Sequence, residues 1–458
     1  MKKQIYFFLL FLIYSPLYGA TPTLELNLER LERDALVHSA KIRAAEHAWK
    51  SAQNLTLGQK ARRWPILSLD GSWKYLSEIP TLPSAMSAGK TLYLGDHENY
   101  SFGPQLAWTF WDSKNITYQW KSFEAKEGSL KQELEWKRQQ VLLQTRLAYF
   151  QVRIAIEQVR LLEDSFNLAQ AQYADIESRR RAGVSNRIDS LSAHQEVLDR
   201  SRLFRQARTE LSQALRDLFT LTGNKEALDL SLPLHQKIES NILRPIKPAS
   251  LFVSMEEGER IRTALQKQID LAPDEQLPNL RAFSEMIESV NFAIKSVQSG
   301  HGPKLQLLAK TSLDRPNGPA IETFNQNMVG FTASLPLFEG GRLHAQVEEL
   351  QERALQMGEE KNDARSQLLL NWNRAQDQIA GLEDQQKINL EQAQETEELA
   401  RLIYASYKTG TSNYIEVQVS NLRALEAKVR LARTEAQIFI QMATLASLSG
   451  KKEAGSIK

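Results

Sequence analysis

The chain has no cysteine. That absence excludes disulfides, thiolate metal sites, a cysteine nucleophile and a lipid-bearing cysteine near the N-terminus. Beyond its first twenty residues the sequence also lacks any apolar run approaching the roughly eighteen residues of a spanning helix. An excess of one charge is missing too. Setting Lys2 and Lys3 aside, 55 basic residues face 55 acidic ones, which argues against nucleic acid as a partner. Catalytic patterns are equally scarce: the seven histidines show no H-E-x-x-H spacing, and no G-x-S-x-G elbow occurs. SAGKT at 87–91 resembles the end of a phosphate loop, but Ser84 stands where that pattern needs its first glycine. Neither an enzyme, a metal site nor a cofactor is expected.

Residues 1–20, MKKQIYFFLLFLIYSPLYGA, differ in kind from the rest. A basic start, an apolar run from Ile5 to Tyr14 and the small residues Gly19 and Ala20 predict a secretory signal, although Tyr18 sits where a small residue is preferred. Export without cysteine suits a periplasmic or outer-membrane protein whose stability comes from packing.

What the sequence does contain is itself, twice. RAGVSNRIDS at 181–190 returns as KTGTSNYIEV at 408–417, an offset of 227. The same offset pairs Leu198 with Leu425, Leu218 with Leu445 and Gly223 with Gly450 downstream, and Gly103 with Gly330 upstream. Farther upstream it becomes 238, pairing Ile42-Arg43-Ala44 with Leu280-Arg281-Ala282. The change falls in the loop between Pro80 and Asn99. The expected organisation is a first repeat over 21–223, an intervening segment over 224–279, a second repeat over 280–450 and a tail over 451–458.

Most of each repeat has a helical pattern. From about Asn115 to Arg181 there is one glycine and no proline, and from about Arg342 to Lys408 two glycines and no proline. At 1.5 Å per residue each run would reach roughly 100 Å. In the first, Leu147, Ile154, Leu161 and Leu168 recur every seven residues. Val141, Ala148, Ala155 and Leu162 flank them, and Val152, Val159 and Phe166 widen the stripe, which predicts supercoiled helices.

Between the helices the period changes to two. Leu67, Leu69, Gly71, Trp73 and Tyr75 alternate with Ser68, Asp70, Ser72 and Lys74, and Leu305 and Leu307 alternate with Lys304 and Gln306. Return strands follow, with Leu106, Trp108 and Phe110 in one copy and Val329, Phe331 and Ala333 in the other. Hairpins are therefore expected at about 64–111 and 303–338. Aromatic residues near the strand ends match the pattern of a transmembrane β-barrel, whereas a soluble sheet packed on helices would show the same alternation. An open sheet edge in hydrocarbon costs several kcal/mol per unpaired group, and four strands cannot close alone. A membrane sheet of this kind requires several copies: eight strands from a dimer, twelve from a trimer.

A signal, two helix–hairpin–long helix–turn–helix copies, SLPLFEGGR at 334–342 and LPNLRAFSEMIE at 277–288 together resemble the TolC-like outer-membrane efflux and secretion channels. The likeness covers essentially the whole chain after the signal. It implies a mainly α fold with membrane β-structure: a homotrimer whose 12-stranded β-barrel, four strands per chain, continues into a long α-helical barrel crossing the periplasm. Helices over about Thr23–Arg62 and Ser185–Thr222 would stack end to end beside one long helix. Residues 224–279 and the tail would form an equatorial girdle. Implied partners are a periplasmic adaptor (membrane fusion) protein, an inner-membrane transporter of RND or ABC type, and outer-membrane lipid met by Leu67, Leu69, Trp73, Leu305, Leu307 and Phe331. The function implied is passive exit from a tripartite efflux pump or a type I secretion system.

The repeated turns, about 181–187 and 408–414, fall at the far ends of the long runs. Glycine there would supply a left-handed cap and Ser or Asn the next helix start. By resemblance, Gly183, Val184, Ser185, Gly410, Thr411 and Ser412 form adaptor-docking tips. Asp189, Tyr407 and Glu416 form a periplasmic gate, in which Tyr407 ties Asp189 and Glu416 faces the pore. Two departures weaken the pattern: Ser412 replaces an arginine latch, and Val419 a second acid. At the strand-to-helix bend, Thr109 stands in the first copy where the second has Pro336. A soluble periplasmic coiled-coil adaptor or scaffold remains the rival reading. It accounts for the helices and the signal, but not for two aromatic-rich hairpins in matched phase.

Overall fold

The computed structural model describes residues 24–82, 92–224, 253–270 and 272–449. The signal, SAGKT, residues 225–252 of the intervening segment and the tail at 451–458 lie outside them. In chain order the described elements are β1 (Leu24–Leu26), α1 (Leu28–His38), α2 (Ala40–Ala61), β2 (Ile66–Tyr75), β3 (Thr81–Leu82), β4 (Leu92–Tyr93), β5 (Glu98–Trp111), α3 (Asn115–Arg181) and α4 (Arg187–Thr222). After them come β6 (Val253–Met255), α5 (Gly258–Gln268), α6 (Pro278–Ser299), β7 (Lys304–Arg315), β8 (Phe324–Ser334), α7 (Arg342–Thr409) and α8 (Tyr414–Leu448). They divide into two compact units, one of residues 1–38, 144–267 and 377–443, the other of 39–143, 268–376 and 444–458.

The second unit holds a four-stranded sheet in the order β2-β5-β7-β8, antiparallel throughout. Its register aligns like with like. Leu67, Leu106, Ala309 and Val329 lie opposite one another across all four strands, and Trp108 meets Leu307, which meets Phe331. Two of the alternate rows are polar, Ser68 facing Gln105 and then Lys310, and Ser72 facing Ser101 and then Asp314, whereas the row of Ile66, Ala107, Leu308 and Gly330 is not. Leu67, Leu69, Trp73 and Phe331 are exposed, and Leu305 and Leu307 half-buried. Since side chains alternate with period two, this register puts most of the large apolar and aromatic residues on one face.

Both strand-to-helix bends are built alike. Gly340 and Gly341 take φ 60° and 81° just before α7, and at the 227-residue offset Ser113 and Lys114 take φ 55° and 71° just before α3. Glycine adopts this left-handed region freely, other residues only at a cost. Thr109 keeps an N–H that Pro336 lacks, and β5 stays paired to Trp111 across a bulge, while β8 ends at Ser334. Near the sheet, α3 and α6 are joined by serine hydroxyls donating to main-chain oxygens: Ser296 to Asn115 (3.3 Å), Ser289 to Ser122 (2.7 Å) and Ser129 to Ala282 (2.9 Å). The seven-residue steps mark one antiparallel seam of small residues.

The first unit corrects one expectation and narrows another. The segment 23–62 is not one helix: it opens as strand β1, paired in parallel with β6, and breaks at Ser39, whose hydroxyl accepts from the Ile42 amide. Tyr149, wholly buried, donates its hydroxyl to the Leu26 carbonyl at 3.3 Å, and burial pushes its pKa up to about 12. The seam of α3 also lies to one side of the row that starts at Leu147. Val152, Val159 and Phe166 are buried with Ala155, Leu162, Ala169 and Ile176, whereas Leu147, Ile154 and Leu161 are half-buried and Leu168 is 47 % exposed.

Candidate functional site

The two turns of the first unit share one geometry. Gly183 (φ 77°) donates to the Arg180 carbonyl at 3.1 Å and Val184 to that of Arg179 at 2.9 Å. Gly410 (φ 84°) donates to Tyr407 at 3.1 Å and Thr411 to Ser406 at 3.0 Å, the same bonds 227 residues on. Each is a paired 6→1 and 5→2 closure that satisfies the last carbonyls of a helix, and it needs a residue at ease with positive φ. Asn186 then caps α4 by accepting from the Asp189 amide (2.7 Å), and Asn413 caps the next helix by accepting from Glu416 (3.0 Å). Asn, not Ser185 or Ser412, is the cap at both ends.

This geometry disposes of the helix ends and leaves side chains free for other work. Val184 is 74 % exposed at the apex. Ser185, Asp189 and Tyr407 come together: the Tyr407 hydroxyl donates to Asp189 Oδ2 at 3.3 Å and lies 3.4 Å from Ser185 Oγ, which is itself 3.5 Å from Asp189 Oδ2. Glu416 belongs to its own turn instead, accepting from the Ser412 hydroxyl and from Asn413 Nδ2. A shallow cavity of about 280 Å³ beside it is lined by Leu399, Ile403, Ile415 and Val419 together with Asn413, Ser420 and Arg423. Val419, at the place of the missing second acid, thus puts an apolar side chain there in a lining of mixed character.

Several residues here carried no sequence signal. Tyr404 donates to Asp175 Oδ2 at 3.0 Å and stacks on Tyr407, whose ring meets Tyr414 in turn. With Ile176, Ala193 and Val417, Tyr407 and Tyr414 form a buried cluster. Burial raises the pKa of all three tyrosines. For Tyr404 the acceptor Asp175 adds to the effect, for Tyr407 the charge of Asp189, and for Tyr414 that of Glu196. The Tyr414 hydroxyl is buried without a hydrogen-bond partner, a cost of about 1–3 kcal/mol. Glu177 spans α3 and α4 by accepting from Arg180 (2.7 Å) and from the Ser190 hydroxyl (2.8 Å). Those donors, Arg180 first, pull its carboxyl down to about 2.

Among the described residues no cluster of His, Asp or Glu could hold a metal ion, and no helix is long and apolar enough to cross a membrane. The latter says nothing of β-structure. The sequence pattern of the outer membrane efflux proteins matches residues 31–224 and 269–451. The chain belongs to the outer membrane efflux protein family. Solved structures share its fold. A membrane protein from Pseudomonas aeruginosa superposes with TM-score 0.74 at 17% identity, over 92% of this chain and 93% of its own. The outer membrane protein VceC from Vibrio cholerae gives 0.72 at 15%, over 92% and 96%. The Campylobacter jejuni CmeC outer membrane channel gives 0.73 at 14%, over 93% and 87%. No curated protein sequence is similar enough to count as a relative. Family membership makes this efflux protein an outer-membrane exit channel of efflux pumps, with a long helical extension in the periplasm, and a transport protein rather than an enzyme. Channels of the family are trimers that act with adaptor and inner-membrane pump partners.

Proposed function

We propose that three copies of this efflux protein close one 12-stranded barrel in the outer membrane, each giving β2, β5, β7 and β8, and extend it as a helical barrel. The sheet itself carries the proposal. Its outer strands β2 and β8 each leave one edge unpaired, while one face is apolar across every strand. Hydrocarbon does not tolerate such edges, and pairing β8 of one copy with β2 of the next removes them all. A transport lumen favours twelve strands over the eight of a dimer. Exposed apolar residues along α7, including Leu355, Ile388 and Leu402, give neighbouring copies something to cover.

In this reading Leu67, Leu69, Trp73, Leu305, Leu307 and Phe331 meet lipid. Gly183, Val184, Ser185, Gly410, Thr411 and Ser412 are the tips that meet a periplasmic adaptor, itself joined to an inner-membrane transporter. Asp189, Tyr407 and Glu416 are the gate. The domain limits are those of the two repeats, with the 224–279 segment between them. Arginine substitution tests the sheet. Leu69→Arg on the apolar face should abolish assembly in the outer membrane, at a cost of about 2–4 kcal/mol at mid-depth. Ser72→Arg on the polar face should assemble normally. Equal behaviour of the two would favour a sheet packed on protein, as in a soluble scaffold.

A further inference from the structure

Ser412 leaves the second turn without an arginine, yet an arginine reaches that turn from the first. Arg179 stands in the last turn of α3, and its Nη1 and Nη2 both donate to the main-chain oxygen of Lys408, each at 3.2 Å. Lys408 is the next-to-last residue of α7. Its carbonyl belongs to the final turn, where oxygens lack helical partners and the helix end carries partial negative charge. A guanidinium there satisfies both needs at once. Arg179 Nε also lies 3.6 Å from Asp175 Oδ2, the oxygen that accepts from Tyr404 at 3.0 Å. Lys408 Nζ closes the circle 4.8 Å above the Tyr404 ring.

The neighbouring arginines do something else: Arg180 and Arg181 turn back to Glu177 on their own helix. Nor does the repeat duplicate the arrangement, since the position 227 residues after Arg179 is Ser406. We propose that Arg179 is the positioning residue that joins the two tip turns, through the main-chain oxygen of Lys408. The proposal rests on the gate reading for its consequence, though not for its geometry. It needs arginine, because a planar fork can place two N–H groups on one carbonyl and a third toward a carboxylate, which a lysine ammonium on the same stem cannot do.

The test uses the full-length channel in detergent and reads two quantities: hydrogen exchange of the turn segments, and resting conductance in planar bilayers. Arg179→Gln should speed exchange in residues 183–189 and 406–413 by about tenfold, as loss of a charge-assisted bond predicts, and should raise conductance. Arg179→Lys should recover part of the protection. Arg401→Gln, which removes only an exposed pair with Glu398 on its own helix, should match the parent in both readouts, and Tyr404→Phe, which keeps Arg179, should have a smaller effect than Arg179→Gln. Unchanged exchange in Arg179→Gln, or equal change in Arg401→Gln, would overturn the proposal. Faster exchange with unchanged conductance would uphold Arg179 as the link and remove the gate reading instead.

Discussion

Tyr404, Tyr407 and Tyr414 hold their protons more tightly in the fold than a free phenol does, mainly because burial disfavours the phenolate. The sign of the consequence follows. A pKa raised above the ordinary value of 10.0 contributes stability that is complete below that pH and is lost as pH climbs through the raised values. Tyr404 faces Asp175, Arg179, Tyr407 and Lys408, so its phenolate would meet one carboxylate and two cations. The thermal midpoint should therefore be level from neutral pH to about 9 and fall beyond about 10. Tyr404→Phe should lose less between pH 9 and 11 than the parent, and a parallel loss would place the alkaline transition elsewhere. Asp189 and Tyr407 could be picked out in the sequence only through the family resemblance, which marks positions at set distances from the tip glycines. Asp175, Arg179 and Tyr404 could not, since their meeting depends on how α3 and α7 are rotated about their axes. The only trace was the run Arg179-Arg180-Arg181 at a helix end, which also fits simple complementarity to the helix dipole.

The repeated elements differ where one copy pays with strain for what the other does with glycine. Lys114 at φ 71° answers Gly341 at φ 81°. Lys114→Gly should stabilise the channel by about 1 kcal/mol, the left-handed penalty less the added freedom of glycine when unfolded. Ser113→Gly should gain less, because Ser113 Oγ donates to the Pro303 carbonyl at 3.0 Å. Denaturant midpoints of the two variants decide it, and a destabilised Lys114→Gly would mean that contacts of the lysine outweigh its backbone. Long helices and turns were legible from periodicity and from glycine. The helix phase was less so: a wide stripe on α3 allows either row as its centre, and only the partner helices select Val152, Val159 and Phe166. Strand β1 was illegible for another reason. Three residues cannot display a period, and its partner β6 lies more than 220 residues away in sequence.

At the scale of the molecule, one chain presents an apolar sheet face, two unpaired sheet edges and a long helix with exposed leucines. These features make sense together if the folded unit is an assembly. Binary pattern and strand count announced the need for neighbours, because four strands cannot close. They did not supply the number of copies, which depends on tilt, stagger and lumen size. The most direct measurement is the mass of the protein extracted from outer membranes in mild detergent, by light scattering corrected for bound detergent. Three chains per particle is the predicted result, giving the twelve strands that the barrel requires. A single chain released without detergent would contradict it, since both sheet edges would then be stable in water.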